Sequence, residues 1–432
     1  MKPVFLITLC VSLTTCTVAL AQTSPYSPEA PINGMPLAFL DSPSGASAPQ
    51  SSPAGTNAGQ CTMGSCSESS KGAPGCIWAE AEFLLWWMKG AHLPPLITAS
   101  PAGTPAAQAG VLGGPSTTIL FGDTRVNDEV RSGFRITLGG WLDDCHKLGV
   151  EADYFLLESE GAGFAASSNG NPILARPIFN TTTGLPDAQL ISFPGLLSGT
   201  VSAHSGSTGL IGADALLRCN LCCGCNYQLD AVGGFRYLRL SDHLGVDENL
   251  LTTSAANPNF VPLGTSIALS DRFDTRNEFY GFNFGVKGSL RRGPWVLQGL
   301  AQLALGGNHE VVNIAGSTTV TVPGTAPVTS MGGLLALPSN IGRFSKDKVE
   351  VIPEFGARVG YQVTPGIQAF AGYSILYWAD VVRAGNQVDQ VVNPNLLPLS
   401  GTQATGPRRP EPTLTGSSFW AQGINMGLEF RF

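Results

Sequence analysis

The chain is short of charge. Only 13% of its 432 residues are Asp, Glu, Lys or Arg, about half the share of an ordinary soluble domain. Basic residues are the scarcer sign, and the net charge of −7 argues against a nucleic-acid partner. Long apolar runs are also missing. Beyond the N-terminus none approaches the length of a spanning helix, so transmembrane helices are not expected. There is no G-x-S-x-G elbow, phosphate loop or dinucleotide fingerprint. His309-Glu310-Val311-Val312-Asn313 lacks the second His of a zinc-protease motif, and its β-rich surroundings lack the helix that chemistry needs. Asp123, Asp153, His204, His243 and Asp271 have no spacing that marks a catalytic rim and read as solvated loop residues. No enzyme activity, cofactor or catalytic residue is expected.

What is present begins with an export signal. Met1 and Lys2 start the chain, Pro3 to Leu13 is mostly apolar, and Ala19-Leu20-Ala21 is a small-x-small cleavage site, the layout of a secretory signal peptide. Cleavage after Ala21 is expected. Its rival is a lipoprotein anchor at Cys16, where Leu13-Thr14-Thr15 fits poorly. Residues 22–75 are rich in Ser, Pro, Ala and Gly and read as a flexible periplasmic linker. The barrel domain is then 76–432.

From Cys76 onward the pattern has period two. Ile77, Ala79, Ala81, Phe83, Leu85 and Trp87 share one face, and Glu80 and Glu82 the other. Such alternation marks a transmembrane β-strand, apolar towards lipid and polar towards the lumen. A soluble sandwich alternates too; the connections discriminate better. Ten strands are expected, at 77–88, 131–142, 148–158, 207–218, 227–239, 277–289, 295–306, 350–362, 367–378 and 418–432. Links after the even strands are short and those after the odd strands are on the order of 40 residues, which is uncommon within compact soluble domains. Short turns on one side and long loops on the other is the rule of outer-membrane barrels. The fold class is therefore all-β: a transmembrane, antiparallel, up-and-down barrel of about 10 strands, or 12–14 if the loops hide more. The loops 90–130, 159–206, 240–276, 307–349 and 379–417 are placed outside the cell. Aromatic belts fit the map: Trp78, Trp141, Trp295, Tyr227 and Tyr361 on the turn side, and Trp86, Trp87, Trp378, Trp420, Tyr237, Tyr280 and Tyr377 on the loop side. In the last strand, Leu428, Phe430 and Phe432 alternate up to a terminal Phe. That resembles the signal by which barrel-assembly machinery recognises its substrates, so that machinery and outer-membrane lipid are the expected partners.

Several blocks occur in order: Trp78-Ala79-Glu80-Ala81-Glu82-Phe83-Leu84-Leu85-Trp86-Trp87, Arg131 to Glu158, Gly234-Phe235-Arg236-Tyr237, Thr275 to Gly281, Ala304 to His309, and Gly332-Gly333-Leu334-Leu335-Ala336-Leu337 through Tyr377-Trp378. On these, residues 76–432 resemble the planctomycete-type putative β-barrel porins, the seventh such family by name. The resemblance implies an outer-membrane barrel and carries over no substrate and no catalytic residue.

Inward-facing candidates are Glu80, Glu82, Arg135, Glu151, Asp153, Asp230, Arg236, Lys287, Gln298, Gln302, Glu354 and Arg358. In a narrow barrel they must pair across strands, because unpaired buried charge is costly. They read either as lumen packing or as a selectivity lining for ions or small solutes. Eight mature cysteines, Cys61, Cys66, Cys76, Cys145, Cys219, Cys222, Cys223 and Cys225, all map to the periplasmic side. Disulfides suit that compartment, pinning the linker through Cys61, Cys66 or Cys76 to the turns at Cys145 and Cys219 to Cys225; a Zn or Cu(I) thiolate cluster and free thiols are the alternatives. Two functions follow. One is a porin-like passive channel. The other is a structural or surface-display barrel with a filled lumen and partner-binding loops. An open lumen favours the first and a packed lumen the second.

Overall fold

The computed structural model describes residues 76–254, 261–399 and 404–432. The expected signal peptide, the linker, Cys61 and Cys66 lie outside the described residues.

Ten antiparallel strands form the wall: β1 (Ile77–Met88), β2 (Val130–Trp141), β3 (Leu148–Leu157), β4 (Leu197–Cys223), β5 (Tyr227–Thr252), β6 (Ser266–Arg292), β7 (Trp295–Thr321), β8 (Gly342–Thr364), β9 (Ile367–Val382) and β10 (Gly416–Arg431). Each pairs with the next, and β10 pairs with β1 from Trp78↔Arg431 to Met88↔Ala421. The ring is thereby closed at the level of β1, where the wall has no open edge; above it, residues 342–353 of β8 pair with β7 alone. The short links after β2, β4, β6 and β8 fall where the sequence puts them.

Period two decides which side each residue takes. On β1, Trp78, Glu80, Glu82, Leu84, Trp86 and Met88 are buried, while Ile77 and Phe83 are exposed. Outside, the wall bears Phe134, Ile136, Leu138, Phe282, Phe284, Leu297, Phe355 and Val359, all exposed. A continuous apolar exterior of this kind needs lipid to cover it.

The strands are longer than the sequence suggests. β4 to β8 have 27, 26, 27, 27 and 23 residues, whereas a bilayer needs about 9–11 tilted residues per strand. The segments 240–276 and 307–349, expected as loops, are therefore largely wall, and 159–206, also expected as a loop, adds Glu160–Ser168 and the first residues of β4 to it. The reason lies on the inner face. Where the outer face turns polar, at His243, Arg272 and Asn313, the inner face still buries Val201, Ala203, Leu244, Val246, Phe273, Val312 and Ile314. Lipid is not required for pairing; an inward core suffices. Leu93, Ile97, Leu174 and Leu334 to Leu337 pack into that core. Thr118–Phe121, Ile97–Ser100, Ile173–Asn180 and Leu185–Leu190 add a small second sheet. The upper part of β4 changes partner, from β3 to Glu160–Ser168. A bulge between Ser207 and Leu210 makes the change. Gly209 sits in it at φ +75°, and a Cβ there would stand 2.1 Å from the Leu157 carbonyl oxygen, so the position admits little else.

The aromatic belts need correction. Trp295, Tyr227, Tyr361, Tyr280 and Tyr377 are exposed on the outer wall. Trp78, Trp86 and Trp378 are buried inside, and Trp141 lines the lumen. Depth along the strand placed these four at the interface, but parity turns them inward.

Candidate functional site

The interior is layered. At the turn end lies a polar chamber of about 190 Å³. Eleven of the twelve expected lumen residues line it: Glu80, Glu82, Arg135, Glu151, Asp153, Arg236, Lys287, Gln298, Gln302, Glu354 and Arg358. Asp230, the twelfth, is fully buried beside it. Apart from Asp153, which has no ion pair among the described residues, the charges pair across strands. Arg236 holds Asp214 through Nε and Nη2 at 2.8 and 2.6 Å, and meets Glu354 at 2.6 Å. Arg135 reaches Glu354 at 3.3 Å. Arg358 grips Glu80, at 2.8 Å through Nη2, and lies 3.8 Å from Glu82 and 3.7 Å from Glu429. Lys287 pairs with Glu151. Arg218 bridges Asp230 at 2.6 Å and Glu151 at 3.4 Å, with its guanidinium 5.3 Å from the ring centres of both Trp78 and Trp141. Gln302 accepts from Arg236 at 3.0 Å, and Gln298 accepts from Arg358.

Asp214, Arg218, Asn425 and Glu429 also belong to the chamber; sequence reasoning missed them. Their signal was available. Asn425 and Glu429 alternate with Ile424, Met426, Leu428 and Phe430, so the strand expected to carry a terminal signal on its outer face carries chamber residues on its inner one. Leu428 and Phe432 are exposed outside, and Phe430 is partly so.

Above the chamber the lumen turns apolar. Leu84, Trp86, Phe155, Phe279, Trp378 and Phe419 fill the cross-section with their aliphatic neighbours, each at most 1% exposed. Phe279 and Trp378 meet edge to face at 6.2 Å. Trp86 Nε1 donates to Asn425 Oδ1 at 2.7 Å, and Asn425 Nδ2 donates to Ser374 Oγ at 2.9 Å, so the seal is tied to the chamber beneath. Arg135 lies 4.9 Å from the Phe155 ring centre at the same boundary. Buried aromatics interlocked in this way leave no space for a water file.

A second plug sits higher. Arg176 Nη1 pairs with Glu248 at 2.6 Å and Asp271 at 2.7 Å, all buried. Asp271 Oδ1 also accepts the backbone N–H groups of Leu334, Leu335 and Ala336 at 3.1, 3.2 and 2.9 Å. A Cβ at Gly333 would lie 2.2 Å from that oxygen.

The remaining candidates scatter. Asp271 is in the plug, Asp153 in the chamber, and Asp123 in a left-handed turn position at φ 56°. Only His204 and His243 meet, on the outer wall. His309 and Glu310 are consecutive residues of β7 with Glu310 buried, so they face opposite ways and form no zinc-protease helix. Three cysteines expected as disulfide partners, Cys76, Cys145 and Cys222, are free and exposed. They stand just before β1, in the β2–β3 turn and within β4. Cys219, Cys223 and Cys225 are disulfide-bonded, which removes them from any thiolate cluster.

None of the curated proteins compared matches this chain. Among solved structures, the outer membrane protease OmpT from Escherichia coli aligns at 10% identity over 85% of this chain and 99% of its own, with a TM-score of 0.40. A Pseudomonas aeruginosa FadL homologue aligns at 7% over 83% and 91%, with a TM-score of 0.21. An anion-selective porin from Comamonas acidovorans aligns at 9% over 82% and 100%, with a TM-score of 0.16. Likeness at these scores carries no argument, and the fold rests on the closed pairing itself. The family described as Putative beta barrel porin-7 (BBP7) matches residues 78–432, the whole of the wall, and the chain belongs to that family of outer-membrane β-barrels.

Proposed function

We propose that this protein is a closed outer-membrane barrel, a structural scaffold that displays its upper wall and loops at the cell surface and conducts no solute. The observation that carries this reading is the apolar seal of Trp86, Phe155, Phe279, Trp378 and Phe419 across the lumen. A filled interior is what about ten strands leave room for, whereas an aqueous channel belongs to barrels of about sixteen. The chamber charges are then packing: all but Asp153 have an opposite charge within reach, which offsets the cost of burying them. Passive transport would need that layer to part. The reading includes no catalysis. It also includes export through a leader cleaved after Ala21, insertion by barrel-assembly machinery and a belt of outer-membrane lipid.

Conductance across a planar bilayer tests it. The wild-type barrel is expected to hold a baseline current, and a Trp86→Ala, Phe279→Ala, Trp378→Ala triple variant to show openings. Steady wild-type conductance would instead favour the passive channel.

A further inference from the structure

The outer wall above the lipid carries a cluster the closed-barrel reading does not use. His204 on β4 is opposite Gly245 on β5, and His243 on β5 is opposite Gly206 on β4. The two histidines are therefore diagonal neighbours, within reach across one face of a sheet. The glycines leave that face bare: a Cβ at 245 would stand 2.4 Å from His204 Cε1. The imidazoles meet Nε2 to Nε2 at 2.8 Å. On the next strand Asp274, opposite His243, accepts a hydrogen bond from His243 Nδ1. The His243 proton is thereby fixed on Nδ1, and its Nε2 lone pair points at His204. A carboxylate behind an imidazole is the support that metal-ligating histidines use. Arg272, the neighbouring cation, is already held by both oxygens of Asp247 at 2.8 Å.

We propose that His204 Nε2 and His243 Nε2 form a surface site for one divalent ion that prefers imidazole, Zn²⁺, Ni²⁺ or Cu²⁺, with water completing the shell. The ion takes the place of the proton shared between the two Nε2 atoms. His204 shifts that proton to Nδ1 through solvent, so both rings stay neutral and no net proton is released. Metal–nitrogen bonds of about 2.0–2.1 Å in a tetrahedral shell set the nitrogens about 3.4 Å apart, so the rings separate by roughly half an ångström, a small side-chain rotation. Among the described residues no group of three or more His, Cys, Asp or Glu forms a metal site, so affinity is weaker than at a structural zinc site. Ca²⁺ and Mg²⁺, which take oxygen ligands, do not compete.

The test uses tag-free folded barrel in detergent with Cys76, Cys145 and Cys222 alkylated. Ni²⁺ is titrated by calorimetry, and Cu²⁺ is read by electron paramagnetic resonance. One ion per chain with two nitrogen ligands is expected. His204→Ala and His243→Ala should each weaken binding at least about tenfold, as should Asp274→Asn, the usual cost of losing such a support being about 10–100-fold. His309→Ala, on the same wall, should change nothing. The side chains lie outside the wall, and heat-modifiable gel mobility confirms that each variant folds. Wild-type affinity and stoichiometry retained in the His204→Ala, His243→Ala double variant, or no saturable binding by the wild type, would overturn the proposal.

Discussion

Arg236 is the residue whose removal best measures how dry the chamber is. Its side chain is 2% exposed, and its partners Asp214 and Glu354 are 3% and 2% exposed. Replacement by Gln removes two hydrogen bonds to Asp214, one to Gln302 and the contact with Glu354. Glu354 keeps Arg135 at 3.3 Å. Asp214 keeps only a 3.2 Å hydrogen bond from Asn283 Nδ2. A carboxylate left buried without its cation costs about 3–5 kcal/mol, and Arg236→Gln is expected to lower the unfolding free energy by that amount. Adding Asp214→Asn should recover part of the loss, with a coupling of about 1–3 kcal/mol between the two sites. Arg409→Gln supplies the exposed comparison. Arg409 pairs with Asp389 at 2.9 Å but is 34% exposed, and its loss should cost less than about 1 kcal/mol. Urea titrations in phospholipid vesicles, read by tryptophan fluorescence, measure all three. If Arg236→Gln costs no more than Arg409→Gln, the chamber is water-filled enough to screen its charges, and the packing argument for a closed lumen fails.

Phe432→Ser should reduce the yield of heat-modifiable barrel if, as proposed, the outward face of β10 carries an insertion signal, while Arg431→Ser, on the inner face, should be milder; equal yields would refute that assignment. Single cysteines tested with an impermeant reagent on whole cells, in a background lacking the native ones, should label at position 190 and not at 364; the reverse pattern would invert the topology. Asp143 caps the β2–β3 turn by accepting from the Lys147 and Leu148 backbone N–H groups, and these hold its carboxyl below the ordinary carboxylate range. Its stabilising effect is thus full above the unfolded carboxylate pKa of about 3.9 and is lost as pH falls through the folded value. The gap in urea midpoint between wild type and Asp143→Asn should be widest near neutral pH and close in acid.

Much of this fold is legible because parity is local. Glu80 and Glu82 alternate with Ala79, Ala81 and Phe83, and that alone turns both carboxylates into the chamber. The contents of the lumen are not legible in the same way. Parity also turns Trp86 and Trp378 inward, yet the expectation that inward means polar places them in a belt. A lumen narrow enough to pack accepts apolar side chains as readily as any core. Leu334 to Leu337 show the other limit. Four consecutive apolar residues have no period, and what anchors them is Asp271, more than sixty positions earlier in the chain. Strand length escaped for a third reason: beyond the lipid the outer face no longer reports on pairing.

The bond between Asp271 and the amides of Leu334 to Ala336 makes the upper plug a check on strand register. Side chains alternate with period two, so a slip of β6 by one residue would send Asp271 outside and bring Ser270 or Arg272 within. Neither replacement offers a carboxylate to three backbone amides and to Arg176 at once. The segment can seat only when β5 and β6 are paired in the native alignment, which places Glu248 and Asp271 on the same guanidinium. Misaligned barrels therefore keep Leu334 to Leu337 in water, exposed to proteases, and correctly aligned ones hide them.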